Sequence, residues 1–232
     1  MNKTKLVIFT GAGISAESGI KTFRDAGGLW EEHRVEDVAS IEGWHRNSEL
    51  VLRFYNARRK QLIDAQPNKA HFLIAKLEEK YDVNVITQNV DDLHERAGSS
   101  NVLHLHGELM KVRSTANENL IYDVGSISKN GTDIDIGDRC EQGSQLRPHI
   151  VFFGEAVPNM SPAIKLTATA DIFCVIGTSL AVYPAASLLY YVEPHTKIYL
   201  IDPNPPNNIS NNIYVIPEKA TEGVNKLFEM LR

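Results

Sequence analysis

Apolar positions follow two rhythms along this chain. Leu6, Val7, Ile8, Phe9 and Thr10 form a continuous apolar, β-leaning run, the pattern of a parallel strand buried on both faces. The pattern recurs at 83–87, 101–105, 150–153, 172–177, 197–201 and 213–216. Residues 49–65 carry a helical period instead, with Leu50, Val51, Phe54, Ala57, Gln61 and Leu62 near one face, and residues 68–80 do so with Ala70, Leu73, Ile74 and Leu77. Residues 185–191 and 222–231 also read as helices. Alternation of strand and helix predicts an α/β fold with a layered parallel sheet. Residues 115–145 break the rhythm: they are rich in Asn, Asp, Gly and Ser, with two basic against six acidic side chains. A long polar stretch inside a compact chain predicts an inserted small module rather than a third sheet layer.

Charge and composition narrow the functions open to such a fold. The 232 residues hold 24 Lys and Arg against 29 Asp and Glu, a formal net charge of −5, with the basic residues scattered. That leaves no footprint for neutralising nucleic-acid phosphates. An apolar share of 43% is enough to bury a core without disulfide or metal support. Only Cys140 and Cys174 are present, too few for a disulfide framework or a four-thiolate zinc site, which fits a reducing cytoplasm. The apolar run at 6–9 is too short for a signal peptide or a membrane span, so the chain reads as mature, soluble and cytoplasmic.

Four polar clusters follow buried strands and carry the candidate chemistry. Thr10-Gly11-Ala12-Gly13-Ile14-Ser15 follows the opening strand. Small residues there let backbone approach a pyrophosphate, with a following helix aiming its N–H groups at the anion; taken alone, the motif is equally a tight β-to-α turn. Thr87-Gln88-Asn89-Val90-Asp91 ends the second long strand, where open α/β sheets bind ligands; its amides suit ribose hydroxyls, and helix capping is the other use of such residues. In Leu103-His104-Leu105-His106-Gly107, strand alternation sets both histidines on one face, offering a general base or a hydrogen-bonded core pair. Arg147 to Glu155, Gly177 to Leu180 and Asp202 complete a cleft edge.

Gly-Ala-Gly-Ile-Ser at 11–15, Thr-Phe-Arg at 22–24, Thr-Gln-Asn-Val-Asp at 87–91, His-Gly at 106–107, Arg-Pro at 147–148, Phe-Gly-Glu at 153–155 and Gly-Thr-Ser-Leu at 177–180 stand in the order and spacing of the sirtuins. The chain resembles these NAD-dependent protein lysine deacylases through essentially its whole length. The resemblance implies a Rossmann-like parallel sheet flanked by helices, spanning 1–26, 72–109 and 146–232, with a smaller lobe built from two insertions, 27–71 and 110–145. It implies NAD as co-substrate: Gly11, Ala12 and Gly13 at the phosphates, Phe23 and Arg24 on a cofactor-binding loop, Gln88 and Asn89 at the nicotinamide ribose and Asp91 at the carboxamide. Gly177, Thr178, Ser179 and Asp202 would meet the adenosine half, although relatives usually carry Asn where Asp202 stands. His106 would be the general base, with Asn89 beside it in catalysis, and Val151, Phe153, Gly154 and Glu155 the edge that pairs with an acyl-lysine peptide or protein. In the implied reaction the acyl oxygen attacks the ribose carbon bearing nicotinamide while His106 takes a ribose hydroxyl proton. The products are lysine, nicotinamide and O-acyl-ADP-ribose.

Two features individualise the chain. Tyr55 and Arg58 are three apart on the expected helix and share a face; alone they read as part of a solvated basic face with Arg59 and Lys60. Beside the resemblance, they match the Tyr-x-x-Arg pair that grips succinyl, malonyl or glutaryl carboxylates in a bacterial desuccinylase and deacetylase class, and Ala26-Gly27-Gly28-x-Trp30 resembles that class too. The family's paired zinc cysteines are missing: the stretch after Leu109 holds none, and Cys140 would be the remnant of the second pair, so no zinc and no other metal is expected. Competing functions are ADP-ribosyl transfer, NAD hydrolysis, or an NAD or ADP-ribose sensing module; retained Asn89, Asp91 and His106 argue against the sensor. No nucleic-acid or membrane partner is expected, and a monomer is favoured.

Overall fold

The computed structural model describes residues 3–21, 29, 30, 32–178, 180, 182–206 and 209–232, without the side chains of residues 29 and 30. In chain order the elements are β1 (Lys5–Thr10), β2 (Leu29–Trp30), β3 (His33–Arg34), α1 (Val35–Val38), α2 (Ile41–Arg46), α3 (Ser48–Asp64), α4 (Lys69–Leu77), β4 (Asp82–Thr87), α5 (Leu93–Arg96), β5 (Val102–His104), β6 (Gly107–Ser114), β7 (Ile121–Asp123), α6 (Val124–Ile127), β8 (Leu146–Ile150), α7 (Met160–Ala168), β9 (Ile172–Ile176), β10 (Lys197–Ile201), β11 (Ile213–Ile216) and α8 (Ala220–Leu231). Among the described residues no helix is long and apolar enough to cross a membrane.

β1 sits inside a six-stranded sheet of order β11-β10-β9-β1-β4-β5, and every pairing in it is parallel. Its alternating residues serve two cores. Leu6 and Ile8 pack with Ile74 of α4 and Val224 and Leu227 of α8, while Val7 and Phe9 pack on the opposite face with Ala163 of α7 and Leu188. That double burial is why the run is apolar at every position. Asn68 starts α4: its Oδ1 accepts from Ala70 N (2.9 Å), and its own N–H donates to His71 Nδ1 (3.2 Å), satisfying donors the helix cannot use itself.

The chain runs from β1 to β4 and β5 on one side of the sheet, then returns to β9, β10 and β11 on the other. The order reverses between β1 and β9, so the carboxyl ends of the strands open there onto a crevice, the place where doubly wound sheets bind ligands. A second, three-stranded antiparallel sheet, β7-β6-β8, packs with α3 around a separate core that includes Val51, Phe54, Tyr55, Val112, Ile134 and Leu146. Only Leu105 and His106 separate the last strand of the large sheet from the first of the small one.

Three expectations change. The run at 150–153 is not a strand of the large sheet: the strand is β8, antiparallel to β6, and Phe152 beyond it is buried in the small-lobe core. An apolar run reads alike in either sheet. The stretch 185–191 is a 3-10 helix. Among the described residues no α-helix stands directly after Gly11; Ala12–Ile14 and Ala16–Ser18 are two short 3-10 turns, the second closed by Gly19 in the left-handed region.

Candidate functional site

Two loops meet at the switch point with no room between their backbones. Gly11 N donates to the Ile176 carbonyl (3.0 Å) and Gly13 N to the Gly177 carbonyl (2.8 Å). A Cβ on Gly13 would lie 2.6 Å from Gly177 Cα, and one on Gly177, whose φ is +61°, would lie 2.5 Å from Ile14 N. These glycines are therefore demanded by the contact between the β1 and β9 loops as well as by any ligand. Because Gly13 N bonds to the Gly177 carbonyl and the N–H groups of Ile14 and Ser15 bond to Gly11 and Ala12 within the turn, the aligned donors of a helix end are not what this turn presents. Thr178 and Asp202 are buried at the neighbouring strand ends, and Asp202 Oδ1 accepts from Asn204 N (2.9 Å).

The stretch after β4 is fastened to the segment 104–109 through four successive carbonyls. Thr87 O accepts from Leu105 N (2.9 Å) and Val90 O from Leu109 N (2.8 Å); between them, Gln88 O accepts from His106 Nδ1 (3.0 Å) and Asn89 O from His104 Nδ1 (2.9 Å). With the backbone thus engaged, the side chains face the crevice. Asn89 Nδ2 donates to Gly11 O (3.2 Å) and Ser15 Oγ (3.2 Å), Ser15 Oγ donates to Asp91 Oδ2 (3.0 Å), and Gln88 Nε2 donates to Thr178 Oγ1 (3.0 Å). The first, second and fourth polar clusters of the sequence thereby become one site. Burial pushes the Asp91 carboxyl up to about 6, against the hydrogen bonds from Ser15 and Leu93 N.

His106 has its tautomer set for it. A carbonyl oxygen only accepts, so the bond to Gln88 places the proton on Nδ1 and leaves the Nε2 lone pair as the basic atom. Burial also holds the ring below the ordinary histidine value, so it is neutral at pH 7. That is the state a general base needs. His104 differs: Nδ1 faces the Asn89 carbonyl and Nε2 faces Glu95 Oε1 (2.7 Å). Burial alone would depress it, but the Glu95 hydrogen bond and charge carry it above its usual value.

On the small-lobe side, Tyr55 and Arg58 of α3 line a cavity of about 50 Å³ together with Asp91, Val90, Lys21 and Leu109. Their neighbour Arg59 is not on a solvated face: it is fully buried, donating from Nε to Leu109 O (2.9 Å) and from NH1 to Asn56 Oδ1 (2.6 Å) and Thr132 O (3.3 Å). Burial lowers its pKa to about 10, with Asp133 opposing. The period-3.6 pattern left Arg59 on a charged stripe because its carbonyl partners lie about 50 and 70 residues away in sequence.

Beyond β8, Phe153 N donates to Ala39 O (2.8 Å) and Ile41 N to Phe153 O (3.0 Å), while Val151 N donates to His106 O (2.9 Å). The Phe153 side chain is exposed and Phe152 buried. The Glu155 carboxylate turns inward, accepting from Arg147 NH1 and NH2 (2.7 and 3.0 Å) and from Phe152 N (2.8 Å); against its burial, these partners keep it below the usual carboxylate range. Its part in this edge is to hold the 151–155 backbone. Phe23, Arg24, Ser179 and the 26–28 motif lie outside the described residues, as does the Trp30 side chain. Ser15, Thr10 and Glu95 are participants the motifs did not single out. Of these Thr10 and Ser15 stood inside a quoted motif, and Glu95 did not.

The two cysteines stand in separate cores. Cys140 belongs to the small-lobe core with Ile134 and Leu146, whereas Cys174 lies in the large-sheet core, so the two thiols cannot share an ion. Among the described residues no three His, Cys, Asp or Glu side chains cluster to hold one. The donor set does not fit the tetrahedral thiolate site the resemblance implies.

Known proteins match this arrangement along its length. The chain is 53% identical over 227 residues to an NAD-dependent protein deacylase of Bacteroides thetaiotaomicron, covering 97% of each chain. It is 54% identical over 227 residues to an NAD-dependent protein deacylase of Helicobacter pylori, covering 97% of this chain and 96% of that one. A crystal structure of a Sir2 homologue in complex with NAD superposes with a TM-score of 0.85 at 42% identity, covering 99% of this chain and 90% of that one. The Sir2 family model matches residues 11–184, a span that takes in the glycine turn, the 87–91 turn, both histidines and the small lobe, and this chain belongs to that family.

Proposed function

We propose that this NAD-dependent protein deacylase takes lysine acyl groups ending in a carboxylate, and acetyl groups besides. The observation that carries the reading is the shared cavity: Tyr55, Arg58 and Asp91 all line it. An acyl chain reaching from the reacting centre would bring its carboxylate to a guanidinium fork and a phenol, a charge-assisted grip. NAD fits the crevice as co-substrate. The interlocked Gly11–Gly13 and Gly177 loops form a floor for the phosphates and adenosine half, Gln88 and Asn89 meet the nicotinamide ribose, and buried Asp91 accepts from the carboxamide. Asp202, buried at the end of β10, would meet the adenosine ribose. His106 takes the ribose hydroxyl proton at Nε2, the nitrogen that its bond to Gln88 keeps bare. The peptide lies along 151–154, with Glu155 bracing that edge from behind.

Support for a zinc-free lobe comes from the donor set and from what replaces it: Asn56 and Arg59 of α3 bond to Ile134, Thr132 and Leu109. One zinc per chain in a metal analysis would overturn this. The acyl assignment is tested with Arg58→Met and matched succinyl- and acetyl-lysine peptides, following O-acyl-ADP-ribose by mass spectrometry. Desuccinylation should be lost and deacetylation spared. Equal loss of both would defeat the assignment, and ADP-ribosylated protein or free ADP-ribose without deacylation would favour the transferase or hydrolase reading.

A further inference from the structure

We propose that His104, backed by Glu95, is a positioning residue that sets the Asn89–Asp91 turn and keeps the Asp91 carboxylate ionised for the nicotinamide carboxamide. This rests on the reading of Asp91 given above and goes beyond it to a residue that touches no substrate.

The geometry separates the two strand histidines into different charge states. His106 has one fixed acceptor, the Gln88 carbonyl, and needs one ring proton to satisfy it. His104 is buried with both nitrogens aimed at groups that accept, the Asn89 carbonyl at 2.9 Å and the Glu95 carboxylate at 2.7 Å. Satisfying both requires both ring protons, so His104 is an imidazolium. Two histidines two residues apart are thus tuned in opposite directions, one as a base and one as a fixed cation.

The surroundings carry the charge inward. Glu95 and His94 face His104 from α5, Glu108 from β6, and Asp91 from the turn itself. His94 is neutral, because burial carries it far below its ordinary value, and Glu108 is neutralised in part by Lys111 Nζ (3.0 Å). His104 is therefore the cation that favours the ionised form of Asp91, a carboxylate that burial would otherwise protonate. Its carbonyl is pinned from α7's flank, Asn159 Nδ2 donating to His104 O (2.7 Å), so the residue is held at its backbone as well as at both ring nitrogens.

The test compares wild type, His104→Gln, Glu95→Gln and Asp91→Asn, measuring kcat and KM for NAD with an acyl-lysine peptide between about pH 5.5 and 8.5. Wild-type KM for NAD should rise as pH falls through about 6, where Asp91 takes its proton. Removing the His104 cation raises the pH of that limb by about one unit, so KM for NAD should grow about five-fold at pH 6 and about two-fold at pH 7, with kcat at saturating NAD changed less than about two-fold. Glu95 is half-exposed and tolerates replacement; Glu95→Gln should move the limb in the same direction. ¹⁵N NMR of labelled histidine should show His104 doubly protonated at pH 7 in wild type and neutral in Glu95→Gln. If the limb stays in place in both variants while Asp91→Asn abolishes it, the positioning role falls and the carboxamide reading survives. If Asp91→Asn keeps the wild-type limb, that reading falls and takes the proposal with it.

Discussion

Replacing Asn56 with alanine strikes buried polar bonds by which α3 holds the second insertion. Asn56 Nδ2 donates to Ile134 O (3.1 Å), its Oδ1 accepts from Ile134 N (3.0 Å), and the same oxygen accepts from Arg59 NH1 (2.6 Å). Ile134 and Arg59 are both fully buried, so water does not take over these partners. The substitution leaves two backbone groups and one guanidinium N–H unmet, each costing about 1–3 kcal/mol. With partial relaxation of the 130–135 loop the total is about 3–5 kcal/mol, and at about 2–4 °C per kcal/mol for a chain of this size Tm should fall by about 10 °C. Circular dichroism and fluorescence melts with and without EDTA check this. EDTA should leave both proteins unmoved, and Asn56→Asp, which keeps the acceptor, should fall less than the alanine variant. A loss below about 2 °C would refute the reasoning, because the lobe would then be held by its apolar core alone.

Other outcomes follow from the same geometry. Gly177→Ala should raise KM for NAD at least about ten-fold, since the new methyl group forces the β1 and β9 loops apart; an unchanged KM would refute the interlock. Asp91→Asn should raise Tm at pH 7 even as it raises KM for NAD. The folded-state value of about 6 is above the reference 3.8, so folding is penalised by the ionised group above pH 6 and the gain should vanish below about pH 4; equal gains at pH 4 and 7 would count against the burial argument. His106 is held below 6.5, so its bare Nε2 persists to lower pH than in free histidine, and the acid limb of kcat should lie below pH 6.5. His71 titrates near 4 in the fold against 6.5 outside it, so the stability it confers is complete above pH 6.5 and should drain away between about pH 6.5 and 4. A His71→Gln variant should flatten that part of the curve.

The large sheet was legible because strands buried on both faces are apolar at every position, as 6–9 and 172–176 are. The glycine turn, the 87–91 turn and His106 were legible as polar ends of those strands. What escaped depends on partners distant in sequence. Arg59 looks solvated until the carbonyls of Leu109 and Thr132 close over it, and β8 looks like a core strand until β6 claims it. Glu95 sits four residues beyond the 87–91 motif, in a short helix whose sequence gives no sign that it backs an imidazole. The helix expected after Gly11 gives way to 3-10 turns because the Gly13 N–H is taken by the Gly177 carbonyl, the next N–H groups bond to carbonyls three residues back, and Gly19 closes the second turn.

Leu105 and His106 alone separate β5, the edge of the large sheet, from β6, the middle of the small one, and the Val151 N–H closes on the His106 carbonyl from the return crossing. The imidazole that takes the proton is thus built into the seam of the two sheets, tied at Nδ1 to Gln88 of the large sheet and at its own carbonyl to Val151 beyond β8. Cofactor and acyl group are gripped by different sheets, and the base belongs to the joint that sets one against the other.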